Sequence, residues 1–417
     1  MKKLKIEGGH SLQGKICLPG AKNSVLPIMA ASLLCDGVVH LQNVPDLTDV
    51  HAGAEILTSL GSETTYASKE MIIERNGIKK SGLSRGQMQS MRSSIFYMAP
   101  LLARTGRAEI FHPGGCNLGA RPIDMHLQSL AAMGAVYQKV GDSYVIEAPQ
   151  GLTGTEIHLR IPSVGTTETV LMAAVLAQGK TVLHGAAREP EIVDLAGFLN
   201  ACGADITGAG GPVVTIQPVK KLTGGVYRIM GDRMLASTLL CALAAVGGEL
   251  LVEDIQYSSI AKLVNILRLA GCRVESVGQN VHAVANAPLA GSFEVETKPF
   301  PGFATDAGPL LCAAFCHGGA QLALHETIFD NRYTCVAEMR KLGADIEVNG
   351  RKVTVHGREA LQGAQMAAAD LRGGAALIIA ALGAQGESVI ENMRFVDRGY
   401  EDFGAMLTAL KAKASYI

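Results

Sequence analysis

A cysteine in a glycine-rich segment is the first candidate for chemistry in this sequence. The segment runs from His112 to His126 and contains three glycines and two prolines, which disfavour a regular helix or a central strand. Cys116 lies in its middle and Arg121 follows, while an apolar run after Asp124 predicts a helix that this aspartate caps. A thiol near a helix N-terminus and an arginine ionises readily, which suits Cys116 to proton donation or nucleophilic attack. An ordinary surface loop with an incidental cysteine is the alternative on these residues alone.

The composition excludes several classes of function. With 417 residues, the chain exceeds what one hydrophobic core usually serves, so two sizeable domains are expected. The 37 lysines and arginines balance 38 aspartates and glutamates without a long run of either sign, so no nucleic-acid binding is predicted. There is no signal peptide or spanning segment, and the nine cysteines lie mostly in apolar runs, which predicts a cytoplasmic protein without membrane insertion. Because no further ligand joins Cys312 and Cys316 at zinc spacing, neither a metal nor a cofactor is predicted.

The chain repeats one pattern six times, and this repeat must position the candidate residues. An apolar helical run that ends in glycine recurs at intervals of 68 to 73 residues, and two short alternating runs with a turn follow it, as around Asn349-Gly350. The sixth run ends in lysine. Each repeat is predicted to read strand, helix, strand, helix, strand, strand, which gives an α/β fold with two groups of three repeats. The run ends are Gly61, Gly134, Gly203, Gly271, Gly343 and Lys411.

Equivalent positions of a repeat carry small residues and single charges. Helix N-termini bind anions, so the segments before each first helix point to a phosphorylated ligand. In the loops before each second helix, Arg121 and Arg398 offer planar forks that match carboxylate and phosphate. For any single arginine, a surface ion pair is at least as well supported.

Several segments together resemble the enolpyruvyl transferases, in particular the branch that acts on UDP-N-acetylglucosamine. Their order and spacing match from the first strand to near the C-terminus. The segments are Leu18-Pro19-Gly20-Ala21-Lys22-Asn23-Ser24, Pro113-Gly114-Gly115-Cys116, Gly119-Ala120-Arg121-Pro122, Ala187-Arg188-Glu189-Pro190-Glu191, Thr305-Asp306 and Asp397-Arg398-Gly399-Tyr400.

The resemblance implies a two-domain inside-out α/β barrel with three repeats per domain. It implies that residues 22–229 form the domain with the Cys116 loop and that residues 1–21 plus 230–417 form the second. The active site is then expected in the cleft between the domains. The oligomeric state is not predicted.

The resemblance also implies a reaction with two small-molecule substrates. The enolpyruvyl group of phosphoenolpyruvate is transferred to the 3′-hydroxyl of UDP-N-acetylglucosamine by addition and elimination, and phosphate is released. This is the first committed step of peptidoglycan precursor synthesis in cell wall biogenesis. Such a mechanism needs a proton delivered to C3 of phosphoenolpyruvate and a deprotonated alcohol, and elimination reverses both transfers.

Individual roles follow from the same resemblance. Cys116 is implied as the proton donor, as the residue that forms a phosphoenolpyruvate adduct and as the target of fosfomycin. Asp306 is implied to contact the acceptor hydroxyl and to take its proton. The residues implied to bind phosphoenolpyruvate are Lys22, Asn23, Cys116, Arg121 and Arg398. Those implied to bind the nucleotide sugar are Arg92, Arg121, Pro122, Ile123, Asp124, Ser163, Val164, Gly165, Asp306 and Ile328.

Three places depart from the pattern of the family, and two alternatives stay open. The departures are Thr169, Leu235 and the run from Ala307 to Pro309, all beside the expected acceptor side. One alternative is 3-phosphoshikimate 1-carboxyvinyltransferase, although its usual Lys-Ser-x-Ser-Asn-Arg start is absent. The other is a non-catalytic paralogue that binds UDP-N-acetylglucosamine as a sensor.

Overall fold

The computed structural model describes residues 2–114, 119 and 122–417. Cys116 and Arg121 therefore lie outside the described residues. The α-helices of the described part are α1 (Lys22–Ala31), α2 (Thr48–Leu60), α3 (Arg85–Ser90), α4 (Met98–Thr105), α5 (Asp124–Ala132), α6 (Val164–Ala174), α7 (Pro190–Ala201), α8 (Arg233–Val246), α9 (Ala261–Leu269), α10 (Gly308–Phe315), α11 (Val336–Met339), α12 (Leu371–Gly383) and α13 (Phe403–Ala409).

The β-strands alternate with these helices. They are β1 (Leu4–Glu7), β2 (Leu12–Cys17), β3 (Cys35–Asp36), β4 (Val38–Gln42), β5 (Ser62–Ala67), β6 (Glu70–Arg75), β7 (Arg107–Phe111), β8 (Val136–Val140), β9 (Ser143–Glu147), β10 (Glu156–His158), β11 (Thr181–His184), β12 (Asp205–Thr207), β13 (Val213–Gln217), β14 (Leu222–Thr223), β15 (Val226–Arg228), β16 (Gly248–Glu253), β17 (Arg273–Val277), β18 (Asn280–Ala285), β19 (Ser292–Glu296), β20 (Gln321–His325), β21 (Asp345–Asn349), β22 (Lys352–His356), β23 (Gln365–Ala367), β24 (Glu387–Glu391) and β25 (Lys413–Tyr416). The predicted α/β class is confirmed.

The described chain divides into two compact units. The Lys22 unit contains residues 20–114 and 122–230, and the Asp306 unit contains residues 2–19 and Gly231–Ile417. The sequence analysis predicts a domain of residues 22–229 and a second domain of residues 1–21 plus 230–417. The roles given to these two domains stay predictions. No helix among the described residues is both long and apolar enough to cross a membrane.

The Lys22 unit has three main sheets and a short two-stranded one. Their strand orders are β15-β4-β6-β5, β7-β9-β8, β10-β11-β13-β12 and β14-β3. In both four-stranded sheets the first strand runs parallel to its neighbour, and the remaining pairs are antiparallel.

The Asp306 unit has three four-stranded sheets, with orders β2-β16-β18-β17, β19-β20-β22-β21 and β23-β24-β1-β25. In the third sheet β1 pairs with both β24 and β25, so the two ends of the chain are joined in one sheet. The core of this unit contains α8, α10 and α12, whose side chains are almost all buried. Helices buried on every side must be apolar on every side, which explains their alanine- and leucine-rich sequences.

Two strands differ from the predicted repeat. β2 directly precedes α1 in the chain, yet it pairs with β16 in the Asp306 unit. β15 directly precedes α8, yet it pairs with β4 in the Lys22 unit. Each strand therefore belongs to the unit that precedes it in the chain, and the helix after it belongs to the other unit. A repeat read from local sequence assigns them to the following helix, because pairing between distant strands leaves no local pattern.

The local turn signals are confirmed. Gly61, which follows α2, has φ +114°, and Gly343 has φ +86°, both in the left-handed region that glycine adopts at no steric cost. The hairpin at Asn349-Gly350 joins β21 to β22, with Asn349 opposite Lys352. Lys411 takes the same left-handed conformation with φ +72°, although it has a side chain.

Candidate functional site

Asp306 lies between two buried arginines. It belongs to the short 3-10 helix Thr305–Ala307 that leads into α10. Arg332 Nη2 donates to Asp306 Oδ1 at 2.6 Å, and Arg372 Nε donates to Oδ2 at 2.9 Å. The guanidinium side chains are only 3% and 6% exposed, whereas the carboxylate side chain is 30% exposed. Two buried arginines thus bind the carboxylate, and part of it remains exposed to solvent.

Neighbouring arginines decide the charge of Asp306. Burial raises the pKa of its carboxyl, but the guanidinium groups of Arg332, Arg372 and Arg233 lower it by more, and the pKa stays well below its ordinary value. Asp306 is therefore ionised at neutral pH. It is a strong hydrogen-bond acceptor and, while both arginines bind it, a weak base.

A tyrosine fixes the second of these arginines. Arg372 Nη1 donates to Tyr400 Oη at 3.0 Å, and the same oxygen lies 2.8 Å from Thr238 Oγ1. Tyr400 is buried, and its ring stacks on Phe403 with centroids 4.7 Å apart. Arg398, two residues before Tyr400, is half-buried in the same unit.

Glu326 links two segments that carry predicted site residues. Its Oε2 accepts from Thr305 Oγ1 at 2.9 Å, next to Asp306, and its Oε1 accepts from the backbone N–H of Ile328 at 2.8 Å. Glu326 is buried, so these bonds are shielded from water. One carboxylate therefore holds the predicted residue Ile328 and Thr305, the residue before Asp306.

Lys22 begins α1 and is paired. Its Nζ lies 2.7 Å from Asp49 Oδ2 in the first turn of α2, and both side chains are largely buried. Ser24 donates to Asp194, which also accepts from Tyr227 Oη at 2.8 Å. Burial raises the pKa of Asp194, although these hydrogen bonds oppose the shift. The start of α1, with Lys22 and Asn23, is thereby fixed against α2 and α7.

The start of α6 carries three of the predicted nucleotide-sugar residues and packs against His126. Ser163 Oγ caps α6 by accepting from the N–H of Thr166 at 3.3 Å, and Val164 and Gly165 form the first turn. A Cβ on Gly165 would lie 3.1 Å from His126 Cε1, so the imidazole packs on this turn. His126 Nδ1 is 2.8 Å from Thr169 Oγ1, which gives the departure at Thr169 a structural role.

The charges around His126 include two further predicted residues. Burial and, to a smaller extent, the Arg92 guanidinium lower the pKa of His126 to about 4, although the Asp124 carboxylate opposes both. The prediction that Asp124 caps α5 is wrong. The helix begins at Asp124 itself, Ile123 occupies the cap position, and the Asp124 carboxylate pairs with Arg160 instead. Pro122 is exposed, and Ile123 is buried.

Two of the first helices do not offer an anion site at their N-termini. At α8 the carboxylate of Asp232 accepts from the N–H groups of Met234 and Leu235, and at α12 Asp370 accepts from those of Arg372 and Gly373. These carboxylates occupy the groups that an anion would need. α1 has no side-chain cap, which leaves its start, with Lys22 and Asn23, the better anion candidate.

The other departures from the family pattern fit their surroundings. Leu235 is buried in the core of the Asp306 unit. Gly308 leaves room for Tyr333, since a Cβ there would lie 2.4 Å from the Tyr333 Oη, and Pro309 lies in the first turn of α10, where its missing N–H costs nothing.

The sequence reasoning missed Arg332, Arg372, Glu326 and Glu168. The two arginines lie in segments that the repeat singles out, but partners 26 and 66 residues away in the chain leave no spacing signal. Glu168 is buried in α6, and burial together with Glu191 and Glu189 raises its pKa well above the ordinary value.

Comparison with known proteins identifies the family. The family model described as EPSP synthase (3-phosphoshikimate 1-carboxyvinyltransferase) matches residues 6–407. The chain is 41% identical over 414 residues to UDP-N-acetylglucosamine 1-carboxyvinyltransferase 2 of Caldanaerobacter subterraneus, and 42% identical to the protein of that name from Carboxydothermus hydrogenoformans. Each alignment covers 99% of both chains.

Solved structures share the fold. The enolpyruvyl transferase NikO from Streptomyces tendae has a TM-score of 0.89 at 23% identity, covering 100% of this chain and 98% of that one. An EPSP synthase from Acinetobacter baumannii has a TM-score of 0.77 at 18% identity, with both chains covered completely. The resemblance drawn from the sequence is confirmed: the chain belongs to the enolpyruvyl transferase family, among the relatives of UDP-N-acetylglucosamine 1-carboxyvinyltransferase.

Proposed function

We propose that this chain transfers the enolpyruvyl group of phosphoenolpyruvate to the 3′-hydroxyl of UDP-N-acetylglucosamine and releases phosphate. The observation that carries the proposal is the identity of about 41% along almost the whole chain to enzymes named for this transfer. The proposed role is the first committed step of peptidoglycan precursor synthesis, in the cytoplasm.

The donor is proposed to bind at the start of α1 and through two arginines. Lys22 and Asn23 at the start of α1 are proposed to bind phosphoenolpyruvate together with Arg121 and Arg398. Each charge-assisted hydrogen bond to the phosphate or carboxylate contributes roughly 1.5–3 kcal/mol. The Lys22–Asp49 pair holds the ammonium group in place before the donor binds.

The acceptor is proposed to bind through Asp306 and the residues around His126. Arg92, Arg121, Pro122, Ile123, Asp124, Ser163, Val164, Gly165 and Ile328 are the proposed contacts to the nucleotide sugar. The ionised, partly exposed carboxylate of Asp306 accepts a hydrogen bond from the 3′-hydroxyl and orients its oxygen toward C2 of the donor. Proton removal by Asp306 requires that substrate binding weaken at least one of its two arginine contacts, because both hold its pKa down.

The chemical steps conserve atoms and charge. The 3′-oxygen adds to C2 of phosphoenolpyruvate while Cys116 delivers a proton to C3, and the hydroxyl proton passes to Asp306. Loss of a C3 proton then expels phosphate and restores the double bond. In this proposal Cys116 also forms the phosphoenolpyruvate adduct and the fosfomycin adduct. The proposed scaffold is a two-domain inside-out α/β barrel, which agrees with three main sheets in each unit.

The proposal is tested by acceptor choice. Purified protein is incubated with phosphoenolpyruvate and either UDP-N-acetylglucosamine or shikimate 3-phosphate, and phosphate release is followed. We expect release with the nucleotide sugar only, and its loss in Cys116→Ser and after fosfomycin treatment. Release with shikimate 3-phosphate alone would favour the sister activity, and binding of the nucleotide sugar without release would favour a non-catalytic paralogue.

A further inference from the structure

Two histidines and a glutamate lie together on the outer face of one sheet of the Lys22 unit. The edge strand β10 carries Glu156 and His158, and the parallel neighbour β11 carries His184 directly opposite His158. Because side chains alternate along a strand, Ile157 and Leu183 point into the core while the three polar residues face outward. None of the three belongs to the proposed substrate site.

Their donor atoms lie close together. The imidazole rings of His158 and His184 are stacked with centroids 4.3 Å apart and planes 5° from parallel. His158 Nε2 lies 3.9 Å from Glu156 Oε2, and one donor atom of each residue lies within 4.8 Å of the other two. Across residues 2–114, 119 and 122–417, no other group of three histidine, cysteine or carboxylate ligands is this compact.

The three donor atoms favour one class of metal ion. Two imidazole nitrogens and one carboxylate oxygen suit Zn²⁺, Ni²⁺ or Cu²⁺, whereas Mg²⁺ and Ca²⁺ prefer oxygen alone. Zinc–nitrogen bonds of about 2.0–2.1 Å require the donors to lie closer together than they do here. The two paired strands fix the backbone. The side chains must rotate about their own bonds to close this gap and to turn the two stacked imidazole rings out of parallel, because an imidazole nitrogen binds a metal in the plane of its ring.

We propose that Glu156, His158 and His184 form a surface site for a divalent transition metal ion, with water completing the coordination. Bound metal ties the edge strand β10 to β11 and thereby stabilises this sheet. The inference stands on the sheet register and the donor geometry, and it does not depend on the proposed enolpyruvyl transfer.

The test is a titration of the untagged full-length protein with NiCl₂, followed by calorimetry in a non-chelating buffer. We expect one site in the wild type that weakens by at least about tenfold, or about 1.4 kcal/mol, in each of His158→Gln, His184→Gln and Glu156→Gln. The matched control is His282→Gln, because His282 lies on a strand 2.7 Å from a single partner, Glu249. This control should bind as the wild type does.

Thermal unfolding supplies a second readout. Ni²⁺ should raise the midpoint of the wild type and of His282→Gln, since a ligand that binds only the folded state stabilises it, and should leave the three site variants unchanged. All three residues are at least partly exposed, so these variants should fold. Equal Ni²⁺ binding by wild type and by both histidine variants, or no binding by the wild type, would overturn the proposal.

Discussion

Asp306 shows how two neighbours set the chemistry of one residue. A lone partly buried aspartate would have a raised pKa and would lose its charge more easily, but Arg332 and Arg372 reverse that tendency. Tyr400, which is hydrogen-bonded to Thr238, fixes Arg372 in turn, so the carboxylate keeps one orientation. The residue is thus prepared to orient a hydroxyl group, and its basicity depends on what the substrates do to its arginines.

Replacing Asp306 by asparagine should lower kcat by about 10²–10⁴-fold, the range for loss of a general acid or base. The amide keeps the size of the side chain but removes the charge between the two guanidinium groups. The measurement is phosphate release at saturating substrates, normalised to folded protein by circular dichroism. Asp330→Asn is the matched control, because Asp330 is an exposed aspartate paired with Arg351 in the same unit. A kcat for Asp306→Asn equal to that of Asp330→Asn would contradict the assigned role.

His317 should make the protein less stable in acid. It is buried, its Nε2 has no hydrogen-bond partner, and burial lowers its pKa to about 4. Since the unfolded chain binds a proton near pH 6.5, stability is complete above that pH and falls as the pH drops toward 4, by up to about 3 kcal/mol. His317→Gln should flatten this fall in urea unfolding between pH 4 and 7. His282→Gln, at a partly exposed histidine, should leave this fall unchanged. An unchanged slope in His317→Gln would contradict the role given to His317.

Helices and hairpins could be predicted where the local sequence determines their ends. Helices ending at Gly61 and Gly343 and the Asn349-Gly350 hairpin follow from backbone preferences of single residues, so the repeat was visible before the structure. Local sequence does not show the pairing of β2 and β15, because their partners lie more than 180 residues away in the chain. Only the domain bounds that the family resemblance implies group β2 with residues 230–417 and β15 with residues 22–229. The partners of Asp306 were hidden for the same reason. The predicted cap at Asp124 is wrong because Ile123 occupies the cap position, and the Asp124 carboxylate pairs with Arg160.

Lys411→Gly should stabilise the protein by about 1 kcal/mol, because glycine removes the steric cost of the left-handed conformation. Lys411 is exposed and occupies the position where the other five repeats have glycine. The free energy of unfolding in urea is the measurement. Lys413→Gly is the control, since Lys413 lies in the extended strand β25 and should lose stability. Equal effects of the two changes would show that the conformation of Lys411 costs nothing.

The first strand of the chain completes a sheet of the Asp306 unit. β1 lies between β24 and β25, so residues near the N-terminus complete a sheet made by residues near the C-terminus. Leu4 and Ile6 are fully buried there, whereas Lys5 points outward and pairs with Glu387. The Asp306 unit therefore needs both ends of the sequence.

Ile6→Ala should destabilise the protein by about 2–5 kcal/mol, through lost apolar burial and the cavity left behind. Lys5→Ala, one residue away on the exposed face, should cost at most about 1 kcal/mol, as expected for a surface ion pair. Both are measured by urea unfolding of the full chain. Similar small losses for the two variants would mean that β1 contributes little to the core.

The most direct test of the central claim is the structure of the product. The protein is incubated with UDP-N-acetylglucosamine and phosphoenolpyruvate labelled with ¹³C at C2, and the purified nucleotide sugar is examined by NMR. Our account predicts an enol ether whose labelled carbon is bonded to O3′, formed together with one equivalent of phosphate. Recovery of unmodified nucleotide sugar, or attachment of the label at another position, would contradict it.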